Sequence, residues 1–319
     1  MGRPSSLRSL AGTVVGCATL QAAAQDAQQW LDRMTSAVEE LSYRGTFVHL
    51  LGDEVDTLQI VHRNDDGRIS ERIVSMDGVG REIIRNEDEI YCILPDRQIV
   101  LLENSRDVSP LVSALPNYSE DLARSYEIAL LHTERVVERD AQVVAIHPRD
   151  EFRYGYRLWL DSETAMPLKS QLRDEQGRTV EQMAFTQIDI GENIPPSALE
   201  PTIDAQGFEW IMPSENGVTE ESPQWRATRL PDGFQLSVAT LTRMAGSEHP
   251  VEHLVYSDGL ATVSVFVESP DSEPEVAGGL SRIGSTNAFS FEFSGRQITA
   301  VGEVPAVTVE SIATSFASP

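Results

Sequence analysis

With 319 residues the chain is long enough for two domains with full-sized cores. Its 25 basic and 50 acidic residues give a net charge of −25. That excludes nucleic acid as a partner, because displacing counterions from phosphates needs a surplus of Lys and Arg. Lys169 is the only lysine, and so acidic a surface repels itself unless salt screens it.

The first residues, "MGRPSSLRSLAGTVVGCATLQAAAQD", carry Arg3 and Arg8, an apolar run and then Ala22-Ala23-Ala24. This pattern predicts a secretory signal peptide over residues 1–24, cut after Ala24. Val14-Val15-Gly16-Cys17 supports a rival, a lipidation box, but leaves an apolar core of only about six residues, short of the roughly 7 to 15 expected. Removing residues 1–24 takes the net charge to −27 and leaves Cys92 as the only cysteine, so no internal disulfide can form. No later stretch has the roughly 18 apolar residues of a membrane span.

From Asp26 to Ser42, Trp30, Leu31, Met34, Val38 and Leu41 recur at helical spacing, with Asp26 placed as N-cap. Alternating runs follow, punctuated by the turn cues "NDDG", "MDGVG" and "DEQG". They predict strands at Tyr43–Leu51, Asp56–His62, Arg68–Met76, Arg81–Asn86, Glu89–Leu94 and Gln98–Glu103. A helical or irregular stretch, Asp107–Ser125, comes next. Strands at Tyr126–His132, Gln142–His147, Tyr154–Asp161, Leu168–Asp174 and Thr179–Ile190 complete an antiparallel meander spanning residues 25–190.

Residues 191–222 contain four prolines, seven acidic residues and no basic one, the composition of a linker. "GFEWIMP" interrupts it, and Phe208, Trp210 and Ile211 are apolar enough to dock on a domain. A smaller α+β domain then occupies 223–319. Its strands are predicted at Phe234–Met244, Val251–Tyr256, Ala261–Glu268, Ala288–Ser294 and Gln297–Glu303, divided by the acidic loop "ESPDSEPEVAGG". A closing helix starts near Pro305.

Chemistry-bearing motifs are scarce: there is no G-x-S-x-G, H-E-x-x-H, C-x-x-C or Walker loop. Gly78-Val79-Gly80 lies on a hairpin turn without the helix that phosphate binding requires. His249 and His253 have the spacing of a helical metal pair, but Pro250 and the strand context spoil that geometry. His49, His62, His132 and His147 sit on or beside strands, where a hydrogen-bonded structural role is the default, and Cys92 in "IYCIL" reads as a small apolar core residue. No residue is named as catalytic, no metal is expected, and no cofactor is implied.

Two features point to a ligand. Phe47 to Leu51 is apolar on both faces of its strand apart from His49, so it needs cover on both sides. In "REIIRN", Arg81, Ile83 and Arg85 share one face. The stretch Arg63 to Arg85 balances five arginines against five acids, so it is the least repulsive place in an acidic chain for an anion. The bland alternative is a solvated face with cross-strand ion pairs.

The fragments "YRGTFVH", "SMDGVGREIIRN", "YRLWLDSETAMPLKSQLRDEQGRTVEQMAF", "LPDGF", "HLVYSDGLATVSVF" and "VGEVPAVTVESIA", in this order and spacing, resemble the RseB/MucB family. These are periplasmic negative regulators of an envelope-stress sigma factor. The resemblance implies a mainly β fold: a strongly curved, unclosed antiparallel barrel similar to lipoprotein carriers of the Lol type, wrapped around an apolar cavity, plus the smaller α+β domain. It implies a periplasmic location and a partner, the periplasmic segment of a membrane-anchored anti-sigma factor, which the family shields from proteolysis. It also implies release by a lipid or lipopolysaccharide-like amphiphile in the cavity, for which Phe47, Ile83, Arg81 and Arg85 are the candidate contacts. A homo-oligomer is compatible with this reading. The alternative is a periplasmic lipid or lipoprotein carrier that uses the same cavity, against which the linker and second domain argue.

Overall fold

The computed structural model describes residues 15–86, 89–103, 122–212, 224–242, 251–268 and 278–317. Arg3 and Arg8, most of the expected 107–125 stretch, His249, the end of the expected linker and most of the acidic loop lie outside them.

Helix α1 runs unbroken from Val15 to Glu40. Asp26 is therefore an exposed interior residue of that helix and not its N-cap; the alanine-rich stretch before it, made of the strongest helix former, carries the helix upstream. Ala27, Leu31, Met34, Ala37 and Val38 are buried, one stripe facing the sheet.

Strands β1 (Tyr43–Leu51), β2 (Glu54–Asp65), β3 (Arg68–Ser75), β4 (Glu82–Asn86), β5 (Glu89–Leu94) and β6 (Ile99–Glu103) form the first meander. After the short helix α2 (Leu122–Ser125) come β7 (Tyr126–Val136), β8 (Arg139–Pro148), β9 (Gly155–Asp161), β10 (Pro167–Arg173) and β11 (Thr179–Ile190). Strand β11 returns to pair antiparallel with β1, so the two meanders fuse into one open sheet. A short strand β12 (Glu209–Ile211) adds in parallel to β6, giving twelve strands with β12 and β7 as unjoined edges. The turn between β2 and β3 is the expected one: Asn64 Oδ1 accepts the Gly67 N–H at 2.8 Å.

The sheet wraps around α1, and one continuous core joins Leu31, Met34 and Val38 to Tyr43, Phe47, Ile60, Ile73, Leu158 and Phe185. The opposite face is covered by the proline-rich segment, which is not a free tether over its described length. Ile194 and Leu199 pack on Val61, and Ile203, Ala205 and Phe208 pack on Ile84, Ile93 and Val100. Trp210 lies 6.3 Å from the Tyr91 ring, although it remains half exposed.

The second sheet has the order β14-β15-β16-β19-β18-β17, made of Gln235–Thr242, Val251–Ser257, Thr262–Glu268, Arg296–Gly302, Thr286–Phe293 and Gly279–Ile283 respectively. Helix α3 (Ala306–Thr314) buries Val309, Ile312 and Ala313 against it. Arg226–Ala227 (β13) and Phe316–Ala317 (β20) form a two-stranded ribbon beside that core. Strand β17 went unforeseen because its residues are exposed and lack a buried face, leaving no alternation to read.

Candidate functional site

Strand register sorts the helix-facing side of the first meander into three rows of neighbouring side chains. One row runs Phe185, Phe47, Leu58 and Ser75, and is extended to Arg81 by the Ser75 N–H donating to the Arg81 carbonyl at 3.0 Å. The next is apolar: Gly45, Ile60, Ile73, Ile83, Cys92 and Leu101. The third is polar at its centre: Tyr43, His62, Glu71, Arg85 and Ile90. All four candidate contacts, Phe47, Ile83, Arg81 and Arg85, thus share this face, spread over three adjacent rows.

Their surroundings differ. Phe47 is buried and meets Phe185 edge-on at 5.5 Å, so core packing covers it. Ile83 is half-buried against the same core. Arg81 is exposed just before β4. Arg85 is half-buried, and its Nε is buried without a hydrogen-bond partner. Cys92 is half-buried between Ile83 and Leu101.

The polar row holds an unusual concentration of unmet donors and acceptors. Tyr43 and His62 stack at 4.7 Å with their planes 6° apart, and His62 Nδ1 donates to Glu71 Oε2 at 2.9 Å. All three side chains are buried. Yet Tyr43 Oη and His62 Nε2 lack partners, as does Arg85 Nε. Burial first, and then the Glu71 charge, holds the Tyr43 hydroxyl well above its ordinary pKa, so it stays a neutral donor. Buried polar atoms are nearly always satisfied, and three exceptions stand in this one row.

The remaining arginines of the neutral stretch point the other way and carry their own partners. Arg63 and Arg68 reach Asp65 at 2.7 and 3.8 Å. Arg72 bonds Glu82 at 2.9 Å beneath the proline-rich cover, where Thr202 also bonds the Glu82 carboxylate. Burial alone would raise Glu82, but the bonds from Arg72 and Thr202 outweigh it and keep the carboxyl below its usual range. A cavity of about 360 Å³ lies on that side, lined by Arg44, Gln59, Val61, Arg72, Asp189 and Ala198 among others. Its Arg44 is paired with Asp189 and Glu192, so no free charge faces a ligand there.

The histidines take structural partners: His49 bonds Glu181, His132 bonds Glu134, and His253 bonds Ser264 while stacking on Phe266. Among the described residues no cluster of metal-ligating side chains forms.

What sequence reading missed is the contact between the two sheets. Arg153, fully buried, donates through Nε to Asp258 Oδ2 at 2.7 Å and also bonds Asp150 and the Asp232 carbonyl. Its guanidinium lies over the Phe234 and Tyr126 rings at 5.1 and 5.6 Å, and Tyr126 Oη donates to Asp258 at 3.1 Å. Gly233 is needed here: it has φ +87°, and a Cβ would come within 2.5 Å of Ser125 Oγ. The signal was present in "LPDGF" and "YSDGL", which supply Asp232, Gly233, Phe234 and Asp258. Their target, Arg153, lies too far away in sequence for spacing to reveal.

Two family models match the chain. The MucB/RseB N-terminal domain matches residues 26–203 and the MucB/RseB C-terminal domain matches 219–317. The chain is 34% identical to "Sigma factor AlgU regulatory protein MucB" of Pseudomonas aeruginosa, covering 98% of this chain and 97% of that protein. It is 26% identical to "Sigma-E factor regulatory protein RseB" of Escherichia coli over 89% of this chain and 88% of that protein. The solved complex of Pseudomonas aeruginosa MucA and MucB contains a chain that superposes with a TM-score of 0.73 at 31% identity, covering 92% of this chain and 99% of that one. A crystal structure of MucB superposes at 0.62, with 29% identity and cover of 92% and 98%. The chain belongs to the MucB/RseB family, whose named members are regulators of sigma factors and not enzymes.

Proposed function

We propose that the protein is a periplasmic regulator that binds the periplasmic segment of a membrane-anchored anti-sigma factor and shields it from regulated proteolysis. An acylated anionic amphiphile entering the helix-facing side of the large sheet releases it. The observation that carries the first half is the superposition, over 92% of the chain, on a relative solved in complex with MucA. The second half is supported by the three rows: the half-buried apolar end of the middle row, Ile83, Cys92 and Leu101, suits acyl chains. The flanking polar row, with its unpartnered Tyr43, His62 and Arg85 atoms, suits a headgroup.

The signal peptide, 1–24, and the division into 25–190, 191–222 and 223–319 belong to the same reading. It is supported by family models that end at 203 and resume at 219. None of the described helices is long and apolar enough to cross a membrane.

The test is direct. Purified protein mixed with the periplasmic segment of the cognate anti-sigma factor should co-elute as one complex and slow cleavage of that segment by its envelope protease. Separate elution would overturn the reading; a complex without protection would leave binding and remove the shielding role.

A further inference from the structure

A second contact joins the sheets at the far end of β1, and it is built differently from the Arg153 contact. His49 of β1 bonds Glu181 of β11 at 2.8 Å. Ser285, fully buried in the β17–β18 hairpin, lies 3.1 Å from Glu181 Oε2 and 2.8 Å from Glu303 Oε1 through the same hydroxyl. The Glu181 and Glu303 carboxyls thus converge on one hydroxyl. One hydroxyl carries one proton and two ionised carboxylates carry none, so within the cluster the second carboxylate is met only when a carboxyl holds a proton; solvent reaches Glu303, the exposed member, in its place. The approach is close: a Cβ on Gly284, which has φ +58°, would sit 2.6 Å from Leu51 Cγ at the end of β1.

We propose that His49, Glu181, Ser285 and Glu303 form a proton-operated clasp between the two domains. With a proton shared by the carboxyl pair and another on His49, the β17–β18 hairpin stays docked on the end of β1; losing them at alkaline pH loosens that dock.

The charged environment agrees. Glu303 is exposed overall, but partial desolvation of its carboxyl and then the neighbouring Glu181 charge raise it. The hydrogen bond to Glu181 raises His49 against the opposing effect of burial, with help from the charges of Glu181, Asp56 and Glu303. For Glu181 burial acts upward, but the His49 bond and charge, with Ser285 and Glu303, hold it below its usual range. The other titratable neighbour is Tyr156 on β9, raised by burial and then by Glu303 and Glu181. Arg282 of β17 donates instead to the Gly284 carbonyl.

Raised groups favour docking at low pH. Their contribution is complete below the ordinary values of 4.5 for Glu303 and 6.5 for His49, and is lost as pH climbs through the raised ones. Glu181 works in the opposite sense: its contribution is present above 4.5 and lost as pH falls through its lowered value. Docking is therefore tightest in weakly acidic solution and weakens above neutrality. The Arg153 contact contains no histidine, and its carboxylates are matched by a guanidinium, so it serves as the pivot.

Hydrogen exchange on the full-length protein, without partner or amphiphile and corrected for the chemical pH dependence, tests the clasp. The docked state loses bound protons over this range, so protection in peptides covering 43–52 and 279–288 should fall severalfold between pH 5.5 and 8.0. Peptides around Tyr126 and Phe234 should keep theirs. Glu303→Gln, which keeps the hydrogen-bonding shape without a titrating proton, should flatten the fall, and His49→Gln should do so in part. Unchanged protection in the wild type overturns the proposal even if neither variant folds. An undiminished pH response in a folded Glu303→Gln protein also overturns it.

Discussion

The two faces of the large sheet bury charge in opposite ways. On the outer face Arg72 and Glu82 are paired with each other, and both bond Thr202 of the proline-rich cover. On the helix-facing side, Tyr43 of β1, His62 of β2 and Arg85 of β4 have buried polar atoms that leave donors and acceptors unused. Polar groups that are buried and paired hold a structure together; buried and unpaired, they cost stability and are retained where something else will meet them. The contrast separates the arginines of the Arg63 to Arg85 stretch that have partners from Arg85, on which the proposed ligand site draws.

The largest expected effects are on paired charges. Arg72→Ala leaves Glu82 buried without its cation and should cost about 3–5 kcal/mol, as should Arg153→Ala at the junction of the two sheets; urea unfolding followed by circular dichroism measures both. Arg85→Ala should cost less than either, because its Nε has no bond to lose. If Arg85→Ala destabilises as much as Arg72→Ala, the distinction between the faces fails.

Ligand binding should rank the arginines in reverse. A hydrogen bond to a charged group is worth about 1.5–3 kcal/mol, so Arg85→Ala should weaken binding of an anionic amphiphile roughly ten- to hundredfold by calorimetry. Arg81 is exposed, so Arg81→Ala should change affinity by only about 1 kcal/mol or less. Arg63→Ala, on the opposite face, should leave it unchanged.

The smallest perturbation is a protease. Ile194, Leu199, Ile203 and Phe208 are packed on the sheet, so limited digestion at the domain boundary should spare 194–208. Fragment masses read the site, and early cleavage between Ile194 and Phe208 would show that the cover is not firmly held.

Much of this was legible in the residues. Alternation along Tyr43–Leu51 and Thr179–Ile190 returned both strands with their observed ends, and period two alone put Arg81, Ile83 and Arg85 on one face. What alternation cannot supply is register between strands. Only the pairing of Val61 with Arg72 and of Arg72 with Ile84 shows that Arg72 faces away from Arg85. Nor does composition distinguish a tether from a cover: four prolines and seven acids in 191–222 read as a linker, while Ile194 and Leu199 bury themselves on Val61. The Arg153 contact and the carboxyl clasp join residues about a hundred positions apart or more, and no local pattern announces such partners.

The central claim is that the amphiphile and the partner compete through one protein. Adding an acylated anionic amphiphile to the preformed complex with the anti-sigma segment, and following the segment by size-exclusion chromatography, tests it most directly. Each buried methylene contributes about 0.8 kcal/mol, so one acyl chain outweighs a coupling of roughly 1–3 kcal/mol between sites. The segment should leave the complex as amphiphile saturates the protein, and by reciprocity the segment should weaken amphiphile binding by the same factor. A complex that stays intact at saturating amphiphile would contradict the account and leave an inhibitor without a lipid switch.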